Sequence, residues 1–388
     1  MTTSHWCRPH NFKSSDLSTD VLVIGGGYAG LSTAYWLTEL SPGIKVTVLE
    51  RKQIGAGASG RNAGFLTKGS AAFYRTLTKA WGVEKALSIF NFAEESLELV
   101  QQRVLKSSPE VKYDKTTSLT LFPDDKLTTS WKAEGFDPSL FKFNWIEQQG
   151  LPEALQKNFY GAYENTPEYR VNPMQLLGSL KKTLESRKVV IVEGVAGFQL
   201  TPEGAMTETN QIKARQVVLA MNGYLPQFHQ AFKNVITPHR AQMLAVELTT
   251  PLECSSLNYD PTDRVYWRKS QDNLLLIGGK RLLDEAGELG DFERLSPVIQ
   301  KGLESYLHEK LEVDFKVIHR WSGIMGFTEH ELPFATKVKG PIDTYAVGGF
   351  SGHGMGFGFH AAREVAELVC GKKDDSFFNQ FKQMNISL

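Results

Sequence analysis

Three glycines and one carboxylate carry the first chemical signal in the chain. Gly25, Gly27 and Gly30 stand in the spacing Gly-x-Gly-x-x-Gly, and Glu50 follows downstream. Gly25 permits a tight turn, Gly27 lets the backbone approach a pyrophosphate, and Gly30 lets a helix pack closely on a strand. Phosphates then sit on the positive end of the helix that follows the turn, with Ala29 in the turn among the candidate contacts. Glu50, with Arg51 beside it, can accept hydrogen bonds from a ribose diol. The pattern is a dinucleotide fingerprint, and by spacing alone it does not choose between nicotinamide and flavin.

The flanking residues supply the elements such a fingerprint needs. After Asp20, residues 21–24 form an unbroken apolar run suited to a parallel strand buried on both faces. A helix over 31–37 follows, Pro42-Gly43 stops it, and a second strand runs over 45–50. Beyond a Gly-rich connection at 55–69, the pattern predicts a helix over 71–106 and strands near 119–122, 143–146 and 161–163. A helix over 173–187, a strand over 189–192 and a strand over 216–220 come next, the last ending in Asn222-Gly223. From Arg240 the texture alternates, with strands at 243–248, 265–268 and 274–277 and a hairpin turn at 270–273. In Val265-Tyr266-Trp267-Arg268, alternation puts Tyr266 and Arg268 on one face. The chain closes with a strand at 344–347, a Gly-rich turn and a helix over 356–369 that Gly371 caps. A βαβ unit, two inserts and two α/β returns imply a discontinuous first domain.

Composition removes several classes of function. Among 388 residues, 43 are Lys or Arg and 43 are Asp or Glu, so the basic excess that a phosphate backbone requires is missing. No nucleic-acid partner is expected. The cysteines, Cys7, Cys254 and Cys370, are far apart and form no Cys-x-x-Cys, which supports neither a disulfide framework nor a zinc ribbon. A cytosolic setting follows, free or peripheral to a membrane. No metal set and no nucleophile elbow stands out. The uncharged stretch 344–362 holds six glycines and two histidines, a poor transmembrane segment that needs another explanation.

Three further motifs supply it. Gly57-Ala58-Ser59-Gly60-Arg61-Asn62-Ala63-Gly64, Trp321-Ser322-Gly323-Ile324-Met325-Gly326 and Gly349-Phe350-Ser351-Gly352-His353-Gly354-Met355 occur in that order. Together with the fingerprint they resemble the D-amino-acid-oxidase-like flavoproteins, which include glycine and sarcosine oxidases and gamma-glutamylputrescine oxidoreductase-like members. The resemblance spans about residues 20–371. It implies an α/β FAD-binding Rossmann-like domain, discontinuous over 1–78, 168–235 and 322–388. An α+β substrate domain with a mostly antiparallel sheet takes 79–167 and 236–321. It also implies FAD contacts from Ala58, Ser59, Arg61, Asn62, Ala63 and Gly64, and from Val195, Ala220, Asn222 and Gly223. Gly323, Gly352, His353, Gly354 and Met355 complete that set. The closing helix N-terminus would face the flavin pyrimidine ring, where its positive field stabilises charge gathered on reduction.

The same resemblance carries expectations about chemistry. Met325 stands where sarcosine-oxidase-like relatives carry the cysteine that attaches flavin, and Asn62 near where others carry a histidine. Neither is a nucleophile of that kind, so FAD is expected to be noncovalent. Met325 also falls near the arginine that grips the substrate carboxylate in glycine-oxidase-like members, and Gly356 at a lysine anchor. Tyr266 and Arg268 become candidates for the substrate pocket beside Met325 and His353. Arg240, Gln242, Lys280 and Arg281 are further candidates, each as readily a structural charge; so are His319 and Arg320. The expected reaction is oxidation of a C–N bond in a small amine or amino acid. A nicotinamide-dependent dehydrogenase and a non-catalytic FAD protein are the alternatives. A lysine that assists oxygen in sarcosine oxidases aligns with Leu276. This favours a dehydrogenase over a fast oxidase, with the acceptor open between oxygen and a quinone or redox protein, and with Lys280, two residues past Gly278, the cation that would serve oxygen instead.

Overall fold

The computed structural model describes residues 17–126, 143–208, 210–270 and 273–381. Cys7 and positions 271–272 of the expected hairpin turn lie outside them.

The apolar runs pair as their burial demands. Val21–Ile24 and Val46–Leu49 are buried on both faces and lie in register, Val21 opposite Val46 and Ile24 opposite Leu49. They are central to a six-stranded sheet in the order Phe334–Val338, Asp343–Gly348, Gln216–Leu219, Val21–Ile24, Val46–Leu49, Val190–Val192. All neighbours are parallel except the first pair. Helix Tyr28–Leu40 packs on the closing helix Gly354–Val369, and Trp36 Nε1 donates to the Phe359 carbonyl at 2.8 Å. Phe357 and Phe359 are fully buried there. Helix Pro173–Ser186 begins where Asn172 Oδ1 accepts from the Met174 and Gln175 amides, with Pro173 in the first turn. Its Leu176, Leu177, Leu180 and Leu184 recur at helical spacing and enter the same core.

A nine-stranded sheet makes the second layer. Its order is Phe315–Phe327, Thr237–Leu248, Leu274–Gly278, Val265–Lys269, Leu257–Asp260, Tyr113–Phe122, Gly161–Val171, Phe65–Leu66, with Asn144–Glu147 also on Gly161–Val171. One face buries Leu244, Val246, Trp267, Leu275 and Ile277 against helix Pro297–Lys310 through Ile299, Leu303, Tyr306 and Leu307. The opposite face, which carries Tyr266 and Met325, is the one that matters for chemistry.

Three expectations need correction. The helix expected over 71–106 runs over Tyr74–Arg103 and is broken at Gly82, whose φ of 83° no helix accommodates. By sequence Lys372-Lys373-Asp374-Asp375 reads as a solvated helix end, yet Lys373 bridges the buried Glu364 and Glu367. A four-stranded sheet of Leu17–Ser18, Gln211–Lys213, Gly204–Thr207 and Phe198–Thr201 was not anticipated, since its short strands are half polar.

Glu168, on strand Gly161–Val171 of the nine-stranded sheet, is fully buried. Its Oε2 accepts from the Lys68 amide at 2.9 Å, while its Oε1 has no partner among the described residues. Burial pushes its carboxyl up to about 8 from 4.5. The folded state therefore binds this proton more tightly than the unfolded chain, so stability is present below about pH 4.5 and is lost as pH rises towards 8. Glu168→Gln is expected to flatten that decline, with an advantage that grows with pH to a few kcal/mol, on the order of 1.4 per pKa unit. Thermal unfolding of both proteins across this range checks it; parallel curves would count against the assignment.

Candidate active site

The glycine turn after Val21–Ile24 opens one end of a long cleft. Gly25 has φ 115°, and a Cβ there would stand 2.6 Å from the Ala220 carbonyl oxygen. At Gly30 a Cβ would collide with the Gly25 carbonyl, so the helix sits against the turn with no room for a side chain. Gly27, the N-cap, offers no side chain to satisfy the free amides of the first helical turn. Ser59 Oγ accepts from the Tyr28 amide at 2.8 Å and so fixes the 57–64 segment over the helix start. Glu50 accepts from the amides of Gly26 at 2.7 Å and Lys52 at 2.9 Å, which orients its carboxylate beside the turn.

The cleft encloses about 1360 Å³, including its open mouth. It runs from Glu50 and Arg51 past Gly25, Gly27 and Ala29 to Met325, Phe350, Gly352, Gly354 and Met355. Ala58, Ser59, Asn62, Val195, Ala220 and Asn222 also line it. Two helix N-termini thus open on one cavity, Tyr28–Leu40 and Gly354–Val369, neither capped by the side chain of its own N-cap residue. Two positive helix ends, one beside a glycine cradle and a fixed carboxylate, fit a dinucleotide that carries a pyrophosphate and a second electron-rich ring.

Several expected residues hold the walls in place, and of these Asn62 and Asn222 also face the cavity. Arg61 donates to the carbonyls of Ala56 at 2.7 Å and Ser322 at 2.8 Å, and pairs with Glu293 at 3.1 Å. Asn62 folds its own segment by donating to the Ala58 and Ser59 carbonyls and accepting from the Gly64 amide. Asn222 has φ 46°, and its Oδ1 accepts from the Gly349 amide at 2.9 Å, which ties the closing glycine turn to the end of strand Gln216–Leu219. Gly64, with φ 75°, lies against the Val171 carbonyl, Gly223 lies against the Met325 carbonyl, and Gly323 lies against the Arg61 side chain. Ala63 is buried, and its carbonyl accepts from Arg268.

The substrate candidates divide. Met325 lines the cleft. His353 is the N-cap of the closing helix, its Nδ1 is buried without a partner among the described residues, and burial lowers its pKa to about 4. The imidazole is therefore neutral at pH 7, able to donate or accept but carrying no charge. Tyr266 packs edge-on to Phe65 at 6.1 Å, and burial holds its phenol protonated, its pKa about 12. Arg268 corrects the sequence reading. Its guanidinium is buried and donates to the carbonyls of Ala63, Val171 and Lys269, which leaves it a clamp between strands rather than a reach towards substrate. Arg320 is likewise spent on Glu304 and Gln300, and His319 stacks on Trp321. At Gly356 a Cβ would collide with the Thr67 carbonyl, so no longer side chain fits there.

The cavity also uses residues that sequence reasoning missed. Tyr224 lines it with Arg51 4.7 Å over its ring, and Phe198 and Phe228 stack at 5.0 Å along the same wall. Tyr224 directly follows Asn222-Gly223, a signal that could have been read. Phe198, Phe228 and Glu293 carry no such mark.

Comparison with known proteins agrees with this geometry. Gamma-glutamylputrescine oxidoreductase of Escherichia coli is 29% identical over 393 aligned residues, covering 96% of this chain and 88% of that one. Sarcosine oxidase subunit beta of an Arthrobacter species is 24% identical, covering 93% and 89%. Among solved structures, glycine oxidase from Geobacillus kaustophilus superposes with a TM-score of 0.74 at 18% identity, covering 95% of this chain and 99% of that one. L-proline dehydrogenase from P. horikoshii gives 0.74 at 19% identity, covering 92% and 95%. A family model described as FAD dependent oxidoreductase (DAO) matches residues 20–368. With two helix ends and a glycine cradle opening on one cleft, and with nearly the whole chain matched, this protein belongs to the DAO family of FAD-dependent oxidoreductases.

Proposed function

We propose that the chain oxidises a C–N bond of a small amine or amino acid with noncovalently held FAD, and hands the electrons to an acceptor other than oxygen. The observation that carries the first half is the position of Met325. It lines the cleft from the antiparallel sheet, so that sheet's face roofs the end of the cavity opposite the ribose carboxylate Glu50. When bound there, FAD supplies the hydride acceptor. The protein's own part is to bind, orient and exclude water. Gly25, Gly27 and Ala29 would hold the pyrophosphate, Glu50 a ribose, and Gly354 and Met355 the amides at the ring end. Neutral His353 would add one hydrogen bond there, and protonated Tyr266 one donor on the sheet face. Among the described residues no charged general base lines the ring end, which suits an amine that arrives unprotonated and delivers a hydride.

The segments 1–78, 168–235 and 322–388 would form the FAD-binding part, and 79–167 with 236–321 the substrate part, although the core of the first also takes in Ala86, Ile89, Phe92, Leu97 and Val100 of helix Tyr74–Arg103. Strand Phe315–Phe327 runs through one of these boundaries.

Anaerobic bleaching of the holoenzyme by a panel of amines and amino acids, gamma-glutamylputrescine, sarcosine, glycine and proline among them, tests the reading; bleaching by none would sink it. Met325 and Asn62 give no bond to flavin, so acid or heat is expected to release all the yellow chromophore into the supernatant. Colour that stays with the precipitated chain would show a covalent link.

A further inference from the structure

Among the described residues that line the cleft, Glu293 stands apart by where it comes from. The others lie within 24–62, 195–228 and 324–355, whereas Glu293 belongs to the stretch 236–321. Its carboxylate pairs with Arg61 at 3.1 Å and with Lys52 at 3.5 Å, two residues after Glu50. Two positions earlier, Asp291 Oδ2 accepts from Gln227 Nε2 at 2.5 Å, next to Phe228 of the cleft wall. One short segment is thus tied to two separate stretches that build the nucleotide end of the cleft.

The root of that segment is fixed to the antiparallel sheet. Glu288 is fully buried, 3.4 Å from Arg240 Nε, and accepts from Gln242 Nε2 at 3.0 Å. Arg240 also donates to the carbonyls of Gly287 and Phe292, and its guanidinium lies 4.7 Å over the Phe292 ring. Gln242 donates to the Arg294 carbonyl at 3.1 Å, and the Gly290 amide to the Pro238 carbonyl at 3.0 Å. A buried pair so satisfied does not part readily, since either charge left alone would be costly. The tip is held differently. The Glu293 side chain is 29% exposed, Arg61 27% and Lys52 52%, so solvent and salt weaken both pairs. A carboxylate that lines a pyrophosphate site would repel its ligand unless cations neutralise it, and here two do.

We propose that residues 288–294 form a strap that holds bound FAD at the nucleotide end of the cleft, with Glu293 as its catch on Arg61 and Lys52. Glu293 is a positioning residue: it acts through those two cations and sets how long the cofactor stays. The inference rests on FAD filling the cleft and is independent of which C–N bond is oxidised.

The test follows exchange of bound FAD in the holoenzyme for excess 8-chloro-FAD by absorbance, a reading that needs no turnover. Glu293→Gln keeps the shape and removes the charge. It is expected to speed release by about tenfold at low salt, falling to about twofold in roughly 1 M salt. Glu293→Asp, which keeps the charge, should recover part of the loss. Lys52→Gln should give a smaller acceleration alone and add little once residue 293 is Gln, because the two changes remove one shared pair. Asp291→Ala, which cuts the second tie, should also speed release. Slower release from Glu293→Gln would show an acid that merely repels the pyrophosphate, and would overturn the strap. Unchanged release with a lower unfolding temperature of the apoprotein would show an ordinary surface pair, and would overturn it too. Full additivity of Lys52→Gln and Glu293→Gln would remove the catch. None of these outcomes depends on the amine panel, so the strap and the proposed reaction stand or fall separately.

Discussion

Gly30→Ala is expected to yield chain that folds poorly and carries no FAD, although it adds a single methyl group. The new Cβ would collide with the Gly25 carbonyl oxygen and stand 3.0 Å from that residue's carbonyl carbon. Neither is the movable end of a side chain. Gly25 cannot retreat, because its own φ of 115° already sets it against Ala220. Relief needs the helix Tyr28–Leu40 to lift off the strand, and with it Trp36, Leu31 and Ala34 from the packed core. Ordinary overpacking costs about 1–3 kcal/mol. Here the clash is backbone on backbone at a cofactor site, and a loss of several kcal/mol approaches the whole stability of a domain, about 5–15 kcal/mol. Gly27→Ala is the control. Its Cβ would meet only Ser59 Oγ, at 2.9 Å, a group able to rotate. That variant should fold and lose cofactor affinity instead. Soluble yield, flavin-to-protein ratio and thermal unfolding of the pair decide the matter. Wild-type flavin content in Gly30→Ala would overturn the close packing on which the cradle depends.

What was legible in the sequence is what local chemistry specifies. Val21–Ile24, the glycine turn and Val46–Leu49 declare a βαβ unit because each step is set by residues within a few positions. The stretch 344–362 is likewise explained by strand Asp343–Gly348, a turn and helix Gly354–Val369, where glycines are needed by Tyr28, Phe334 and Thr67 nearby. What was not legible is what distant partners decide. Arg268 looks like a substrate arginine by alternation, and only the arrival of Ala63 and Val171, 205 and 97 residues away, makes it a clamp. Arg240 and Arg281 are indistinguishable in sequence. One meets Glu288 in the dry core, and the other meets an aromatic ring and, among the described residues, no carboxylate. Helix Pro297–Lys310 was passed over because its apolar positions are few and its burial comes from the sheet above it.

Reduced holoenzyme mixed with air-saturated buffer is expected to regain its oxidised spectrum slowly, by two to three orders of magnitude relative to an efficient flavin oxidase. Oxygen accepts electrons faster where a fixed cation stabilises the charge it gains, and in a poorly solvated site that is worth about 3–4 kcal/mol. The cations that line the cleft among the described residues are Arg51 and Lys52, which flank Glu50 at the end away from Met325. Leu276, on the sheet face opposite Arg268 and Ala245, brings no charge. Arg268 does carry one, but its nitrogens are turned to three carbonyls, and burial lowers its pKa to about 10. Lys280 is turned the other way. Its Nζ pairs with Asp263 and lies 5.5 Å from the ring of Tyr306, a residue in the core beneath the opposite face of the sheet. Lys68 is held by Glu94 at 3.6 Å and the Thr166 carbonyl at 3.2 Å. Lys280→Met should therefore leave reoxidation unchanged, while an artificial quinone should restore rapid turnover. Stopped-flow reoxidation measures both. A rate in air matching that of efficient oxidases would reject the dehydrogenase reading, and its loss in Lys280→Met or Lys68→Met would identify the cation responsible.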